Sequence, residues 1–379
     1  MGKVNSEVGR TTIDEKVRMR LWAVSGGRCE LCNRLLYQDL VFGRDGNFGE
    51  MAHIHAVSEG GPRSKYGMTP EEKNNIDNLM LLCEEHHHMI DTTPEDFGEG
   101  LLLKKKQMHE SRIREVTNIP SEQSCRLVSY FSNIDNQQEF SSDRLLREAV
   151  LLSGRLPMQE PVISLHADSY TKYVPSKEIF IRKAAELERE FRVWFDEIIK
   201  SQDSIGVFSL APQPLLFKLG TLINDQYNAV VFQCHRTGHT WAWPSASESV
   251  DFRFCCSKNG NHDKIALVID LSAPVMDDRI MCVLGNDCKI FHITLENPCR
   301  TFVTSEKIQD DFVKVFRESM EHIKNLRPLP NAIHFFPVMP NSLVIKAGMD
   351  YMPKADLPII LYEQPKQEDG FFETITIGG

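Results

Sequence analysis

The sequence predicts two domains in series, a small metal-stapled α+β module followed by a larger α/β layered domain with a largely parallel sheet. The first follows from two ligand pairs of equal spacing, Cys29 with Cys32 and Cys83 with His86. The second follows from short apolar runs, rich in β-branched and aromatic residues, that alternate with helical segments through the later part of the chain. Near-continuous apolar strands imply burial on both faces, as in parallel sheets. A chain of 379 residues has room for such a pair of cores.

Along the chain, residues 12–24 read as a short helix, and the turn-rich stretches GGRCELCNR and FGRDGNFGE bracket a brief apolar run. After Asn75 the pattern IDNLMLLCEEHHHMID has helical spacing, and residues 101–116 read as a further helix. The first domain is expected to span 1–118. Residues 119–143 are polar and contain Pro120, Ser121, Asn133, Asn136 and Ser141, which suits an irregular connector. The second domain then covers 144–379. It opens with a long amphipathic helix at 176–200, followed by IGVFSLAP and a segment at 215–223. The strands AVVFQC, KIALVIDLS, IFHITL, AIHFFPV and LPIILYE come next, with a helix at 305–326 between the third and fourth. No short repeat stands out, and two half-domains remain open. Ligands of such a sheet bind at the carboxyl ends of its strands.

Composition narrows the function classes. No apolar run has the length of a membrane span, and the start MGKVNSEVGR lacks the apolar stretch of a secretory signal, so no membrane association and a cytoplasmic location are expected. In that setting the ten cysteines suggest metal ligation or burial rather than a disulfide framework. A net charge of -10 excludes a protein that coats nucleic acid through a broad basic surface. Local DNA contact would fall to Lys104, Lys105, Lys106, Arg112 and Arg114, or to Arg63–Lys65, unless these are only a solvated face.

Cys29, Cys32, Cys83 and His86 make a Cys3His set, which suits tetrahedral structural Zn2+ in a module with few core residues. The competing view, cysteines that are merely buried, does not explain two pairs at one spacing. Between the pairs lies GEMAHIHAVSEGGPR, followed by NNIDNLMLLCEEHHHMID. This order resembles the HNH family of ββα-metal endonucleases over residues 25–92. The resemblance implies a zinc-stapled ββα-metal domain that hydrolyses DNA with a catalytic Mg2+ or similar ion. It further implies that His53 is the general base, that Asn78 holds the loop carrying it, and that His87 helps bind the catalytic ion. Histidine suits the base because its ordinary pKa lies near neutrality. The chain departs from the family at Ala52, where many members carry Asp, and at Ala56, where relatives carry Pro. Glu50, His55 and Asp91 are then the candidates for the missing metal ligand.

The block IGVFSLAPQPLLFKLGTLINDQYNAVVFQCHRTGHTWAWP, with KIALVIDLS and AIHFFPVMPNSLVIKAGM, resembles the SAVED domain over residues 160–379. That resemblance implies two fused CARF-like Rossmann units that bind cyclic oligonucleotides in CBASS anti-phage defence, with a cyclic dinucleotide the first expectation. An HNH domain ahead of SAVED is an effector architecture of those systems. The implied protein is a cyclic-oligonucleotide-activated nuclease of double-stranded DNA that forms a homo-oligomer on activation. Base recognition calls for aromatic platforms and cationic or polar donors. Trp241 and Trp243 supply the first, although one of them can instead cap the core. Arg236, with His235 and His239, supplies the second, and Lys218, Pro337, Ser342 and Lys346 are further pocket candidates. Two alternatives stay open: a restriction-type HNH nuclease with a DNA-reading second domain, and a non-catalytic zinc-containing nucleic-acid-binding module. The second domain is not notably basic, which favours a small ligand over duplex DNA.

Overall fold

The computed structural model describes residues 12–56, 61, 63–132, 141–167, 176–201, 204–244, 249–364 and 370–379. Gly60 and Pro62 of the GGPR motif, and Asn133 and Asn136 of the expected connector, lie outside the described residues. The chain forms two compact units, Met1–Ile119 and Pro120–Gly379.

In the first unit, Asp14 caps helix α1 (Glu15–Val24) by accepting from the Lys16 N–H. Strand β1 (Gly49–His53) pairs antiparallel with β2 (Leu79–Cys83), Gly49 opposite Cys83 and His53 opposite Leu79. A capped turn of helix, α2 (Pro70–Lys73), lies between them, and α3 (Glu84–Thr92) follows β2 directly. Helix α4 (Glu99–Thr117) completes the unit. The sequence expectation of one helix through IDNLMLLC is corrected here. All five residues of β2 are buried, and a short apolar run buried all round has no period that separates strand from helix. Pairing with β1 decides for the strand. The core is Leu21, Leu36, Ala52, Ile54, Leu79 to Leu82, Ile90 and Leu102.

The second unit contains the same α/β pattern twice, with the second strand position of the first half split into β4 and β5. In its first half, β3 (Ser124–Ser132), α5 (Asp143–Leu152), β4 (Leu156–Pro157) and β5 (Ile163–Ala167) are followed by α6 (Lys177–Ser201), β6 (Ser204–Leu210), α7 (Gln213–Ile223) and β7 (Ala229–Val231). All pairings in this sheet are parallel, with β4 and β5 on one edge of β3 and β6 then β7 on the other. An edge strand β8 (Arg253–Lys258) leads into the second half. There, β9 (Asn261–Asp270), α8 (Asp277–Leu284), β10 (Cys288–Thr294), α9 (Glu306–Lys324), β11 (Ile333–Val338), α10 (Asn341–Asp350) and β12 (Ile359–Glu363) repeat the order, and β13 (Phe372–Ile377) closes the far edge. The sheet runs β13-β12-β11-β9-β10-β8, parallel in the middle and antiparallel at both ends. In the first half β3 is flanked by β4 and β5 on one side and by β6 and β7 on the other, and in the second half β9 is flanked by β10 on one side and by β11 and β12 on the other. The expected irregular connector is corrected by this arrangement, since β3 is the central strand of its sheet. Its apolar pairs Leu127–Val128 and Tyr130–Phe131 are interrupted by Ser129 and flanked by loop-like residues, so no strand period stands out in the sequence.

Helices α6, α7, α9 and α10 share one core with the inner faces of both sheets, while α5 and α8 cover the outer faces. The centre of this core is the contact between α7 and α10. Their sequences, PQPLLFKLG from Pro212 and PNSLVIKAG from Pro340, agree at Pro, Leu, Lys and Gly, a repeat that the sequence reading missed. A Cβ on Gly220 would lie 2.2 Å from the Ile345 carbonyl oxygen, and one on Gly348 would lie 2.2 Å from that of Phe217. Only glycine lets the two backbones approach so closely. Gly348→Ala is therefore expected to destabilise the second unit by about 1–3 kcal/mol despite alanine's better helix propensity, read by denaturant unfolding.

Candidate functional site

The CxxC pair sits on a tight knuckle in which the Cys29 N–H donates to the Arg34 carbonyl at 2.9 Å and the Asn33 N–H to the Cys29 carbonyl at 2.8 Å. Asn33 takes a left-handed φ of 63° there. Cys83 ends β2 and His86 stands in the first turn of α3, so the strand-to-helix junction aims both at the knuckle. The Cys32 and Cys83 sulfurs are 3.9 Å apart, the Cys29 sulfur is 3.9 Å from His86 Nδ1, and the Cys83 sulfur is 3.0 Å from it. The four donor atoms all lie within 4.8 Å of one another. Burial pushes the Cys32 thiol up to about 12, a preference that a bound divalent cation reverses by favouring thiolate. A tetrahedral ion of soft-ligand preference fits this set.

His53 ends β1. Its Nε2 faces Asn74 Oδ1 at 3.3 Å, which leaves Nδ1 with the lone pair when Nε2 carries the proton. Burial holds its pKa below the ordinary histidine value, outweighing the Asn74 contact. Asn78 is buried beneath the following loop: its Oδ1 accepts from the His55 N–H at 2.8 Å, and its Nδ2 donates to the carbonyls of His55 at 3.1 Å and Lys73 at 2.9 Å. His87 lies between two acids, Nδ1 at 2.5 Å from Glu50 Oε2 and Nε2 at 3.5 Å from Asp91 Oδ2. Ala52, by contrast, is fully buried and belongs to the core.

Two basic candidates for DNA contact are corrected. The Arg63 side chain is buried, donating to the carbonyls of Ile54 at 2.8 Å and Ile90 at 2.5 Å and reaching Asp91 at 3.5 Å. It ties the end of β1 to α3, a role that sequence could signal only through the GGPR motif. Lys106 is buried against Glu110 and Glu30. Lys65, Lys104, Lys105, Arg112 and Arg114 are exposed. His55 is buried, with Nε2 3.1 Å from Glu99 and Nδ1 3.0 Å from the Arg63 carbonyl, so it braces the loop.

The sensor candidates separate. Trp241 is fully buried, edge-on to Phe208 at 5.3 Å and packed with β3, β6 and α5 in the outer core. That burial leaves it no face for a base, which corrects its assignment as a platform. Trp243 is half-buried, 6.3 Å from Phe232 and 5.8 Å from His235, and its Nε1 is buried with no acceptor among the described residues. Arg236 and His239 are exposed on the turn between His235 and Thr240. Lys218 is committed to Glu188 at 2.8 Å and Lys346 faces Asp310 at 3.4 Å. Pro337 is buried within β11. Ser342 is buried at the start of α10, and both its N–H, at 3.2 Å, and its hydroxyl, at 2.7 Å, donate to Gln233 Oε1. Gln233 was not singled out by the sequence reading.

The second unit has two α/β halves packed together through α7 and α10. The model described as "SMODS-associated and fused to various effectors sensor domain", SAVED, matches residues 187–377. The chain belongs to the SAVED family. The match runs from within α6 to the end of β13 and leaves the first unit unassigned. Similar solved structures include the Acinetobacter baumannii Cap4 SAVED/CARF-domain containing receptor with the cyclic trinucleotide 2'3'3'-cAAA, at 10% identity and TM-score 0.42, covering 78% of this chain and 62% of that one. The same receptor with 3'3'3'-cAAA is similar at 9% identity and TM-score 0.43, over 83% and 68% of the two chains. The Moraxella osloensis Cap4 receptor is similar at 9% identity and TM-score 0.37, over 78% and 59%. The chain thus spans 62% of the length of the first of these. No curated protein matches the chain.

Two outcomes follow from this geometry. Elemental analysis is expected to find about one zinc per chain, and a strong chelator to unfold the first unit while the SAVED unit keeps its own melting transition. Trp241→Ala is expected to cost about 3–5 kcal/mol of SAVED-unit stability, with a distinctly smaller loss for Trp243→Ala, both read by chemical denaturation.

Proposed function

We propose that this chain is a metal-dependent HNH DNA endonuclease gated by a cyclic oligonucleotide, acting as an effector of CBASS anti-phage defence. The observation that carries the nuclease half is the pair of hydrogen bonds between buried Asn78 and the His55 backbone, one accepted from its N–H and one donated to its carbonyl, which fixes the chain two residues after His53. A loop held in this way fixes the geometry of a general base, and the strand-strand-helix order of β1, β2 and α3 agrees with the family pattern. The SAVED membership carries the sensing half.

His53 is the base, accepting a proton from the attacking water at Nδ1. Its lowered pKa keeps the imidazole neutral and able to accept at neutral pH. His87 would help hold a catalytic Mg2+ or similar ion, with the Glu50 carboxylate beside its Nδ1 and the Asp91 carboxylate beside its Nε2. An ion held there would supply charge neutralisation at the phosphate and leaving oxygen. Arg63 holds Asp91 in place. The Cys3His set holds structural zinc, and one α3 helix serves both sites. Exposed Lys65, Lys104, Lys105, Arg112 and Arg114 offer contacts to the duplex backbone. A chain with a net charge of -10 binds DNA weakly as a single copy, and ligand-driven homo-oligomerisation raises the effective concentration of nuclease sites on a duplex.

The test incubates purified protein with plasmid DNA, Mg2+ and a panel of cyclic di- and trinucleotides, with light scattering on the same samples. Cleavage and a rise in mass are expected only with the cognate cyclic nucleotide. His53→Ala and His87→Ala should each lower cleavage by at least about a hundredfold while zinc content and ligand-induced thermal stabilisation are retained. Full activity of the His53 variant, or cleavage without any ligand, would refute the reading.

A further inference from the structure

On the nuclease reading, on which this inference rests, His53 must keep one ring nitrogen protonated and the other bare toward the water. Asn78 holds the backbone at His55, two residues further on, but that contact does not set the ring. The ring is met by Asn74, whose Oδ1 lies 3.3 Å from His53 Nε2. An amide oxygen can only accept, so the proton of a neutral imidazole here belongs on Nε2 and the lone pair on Nδ1.

Asn74 is placed by the turn that it ends. It caps α2, with its N–H donating to the Pro70 carbonyl at 3.2 Å. At the start of that helix Thr69 Oγ1 accepts from the Glu72 N–H at 3.2 Å, and Glu72 Oε2 accepts from the Thr69 N–H at 2.7 Å. A single turn of helix has little stability of its own, so it needs an anchor elsewhere in the unit. Asn78 supplies one. Besides its two bonds to the His55 backbone, its Nδ2 donates at 2.9 Å to the carbonyl of Lys73, the residue before Asn74. One buried amide thus grips the chain two residues beyond His53 and one residue before Asn74. The separation of those two backbone positions sets the His53–Asn74 contact. The segment between them is tied as well, because Asn75 Oδ1 accepts from the Asp77 N–H at 3.1 Å and the Asn78 N–H donates to the Asn75 carbonyl at 2.9 Å.

We propose that Asn74 is a positioning residue for the His53 base, fixing its Nε2–H tautomer and the direction of its ring, and that Asn78 sets the placement of both partners. Asn74 acts only through the imidazole. A ring without that acceptor spends part of its time turned from the water or with the proton on the wrong nitrogen, which lowers the rate of the chemical step and leaves substrate binding alone. Asn74 and Asn75 are adjacent and alike in sequence. Folding separates them, sending one side chain to His53 and the other to the backbone of Asp77.

NMR of the zinc-loaded full chain with 15N-labelled histidine, at about pH 8 where an ordinary imidazole is neutral and without DNA, tests the contact. The wild type is expected to show a slowly exchanging His53 Nε2–H and an unprotonated Nδ1. That proton signal should be lost in N74A. It should also be lost in N78D, which keeps the acceptor for the His55 N–H and removes the donor to Lys73. Zinc content and the amide resonances of β1 and β2 report that each variant keeps its fold. In the plasmid assay with Mg2+ and the panel of cyclic di- and trinucleotides, N74A should lower kcat roughly ten- to hundredfold, with KM for DNA changed by less than about twofold. N74D retains an acceptor oxygen and should keep the Nε2–H signal and recover most of the rate at the same pH. A His53 signal unchanged in N74A, or equal kcat for N74A and wild type, would overturn the proposal. Because the signal is read without DNA, a wild type that cuts nothing refutes the nuclease reading, while loss of the signal in N74A still supports the Asn74 contact.

Discussion

Helices α7 and α10 meet through Gly220 and Gly348, each lying under a carbonyl of the opposite helix. Much of the second unit's architecture follows from that approach. Both helices have most of their residues buried, so they cannot be surface layers. They serve instead as the partition on which two sheets stack. With the helices in place, α6 and α9 cover what remains of the inner faces, and α5 and α8 cover the outer ones. Side chains larger than glycine at the crossing would separate the backbones and open voids through the largest core of the chain.

The same contact brings together the ends of the strands where polar groups gather. Helix N-termini carry unsatisfied N–H groups, and here the two inner helices begin close enough to receive caps from across the pseudo-dyad. Gln233 and Glu363 provide them, along with Gln213 Nε2 donating to Met339. The lysines of the repeated motif, Lys218 and Lys346, go a different way, each toward an acid on the preceding long helix of its own half. Hydrophobic contact thus fixes the approach, while polar contacts fix the register.

The first unit is organised on another principle. Its core is small, and the knuckle that carries Cys29 and Cys32 has few apolar residues of its own. Four donor atoms converge between the knuckle and the β2–α3 junction, where a bound metal ion would join the two. The same junction sends His87 toward Glu50 and Asp91, and Arg63 braces Asp91 from the loop. A single strand-to-helix transition thereby orders two groups of polar residues, one of soft donors and one of hard donors.

The sequence alone determined the features that depend on residue identity and local spacing: the Cys3His set, the order of His53, Asn78 and His87, the α/β alternation after residue 200, and the SAVED motif. These were legible because ligand chemistry and apolar periodicity are local properties. What it misjudged depended on partners far away in the chain. The run LMLLC is strand because β1 lies beside it, and β3 is a central strand although its flanks look like loop. Trp241 is core because α5 and two strands surround it. Arg63 and Lys106 are buried rather than exposed because acids and carbonyls distant in sequence meet them. The pairing of Gln233 with Ser342 and of Glu363 with Gln213 was out of reach altogether. An unremarkable glutamine or glutamate becomes a helix cap only when folding carries a helix N-terminus to it, and tertiary structure alone decides that.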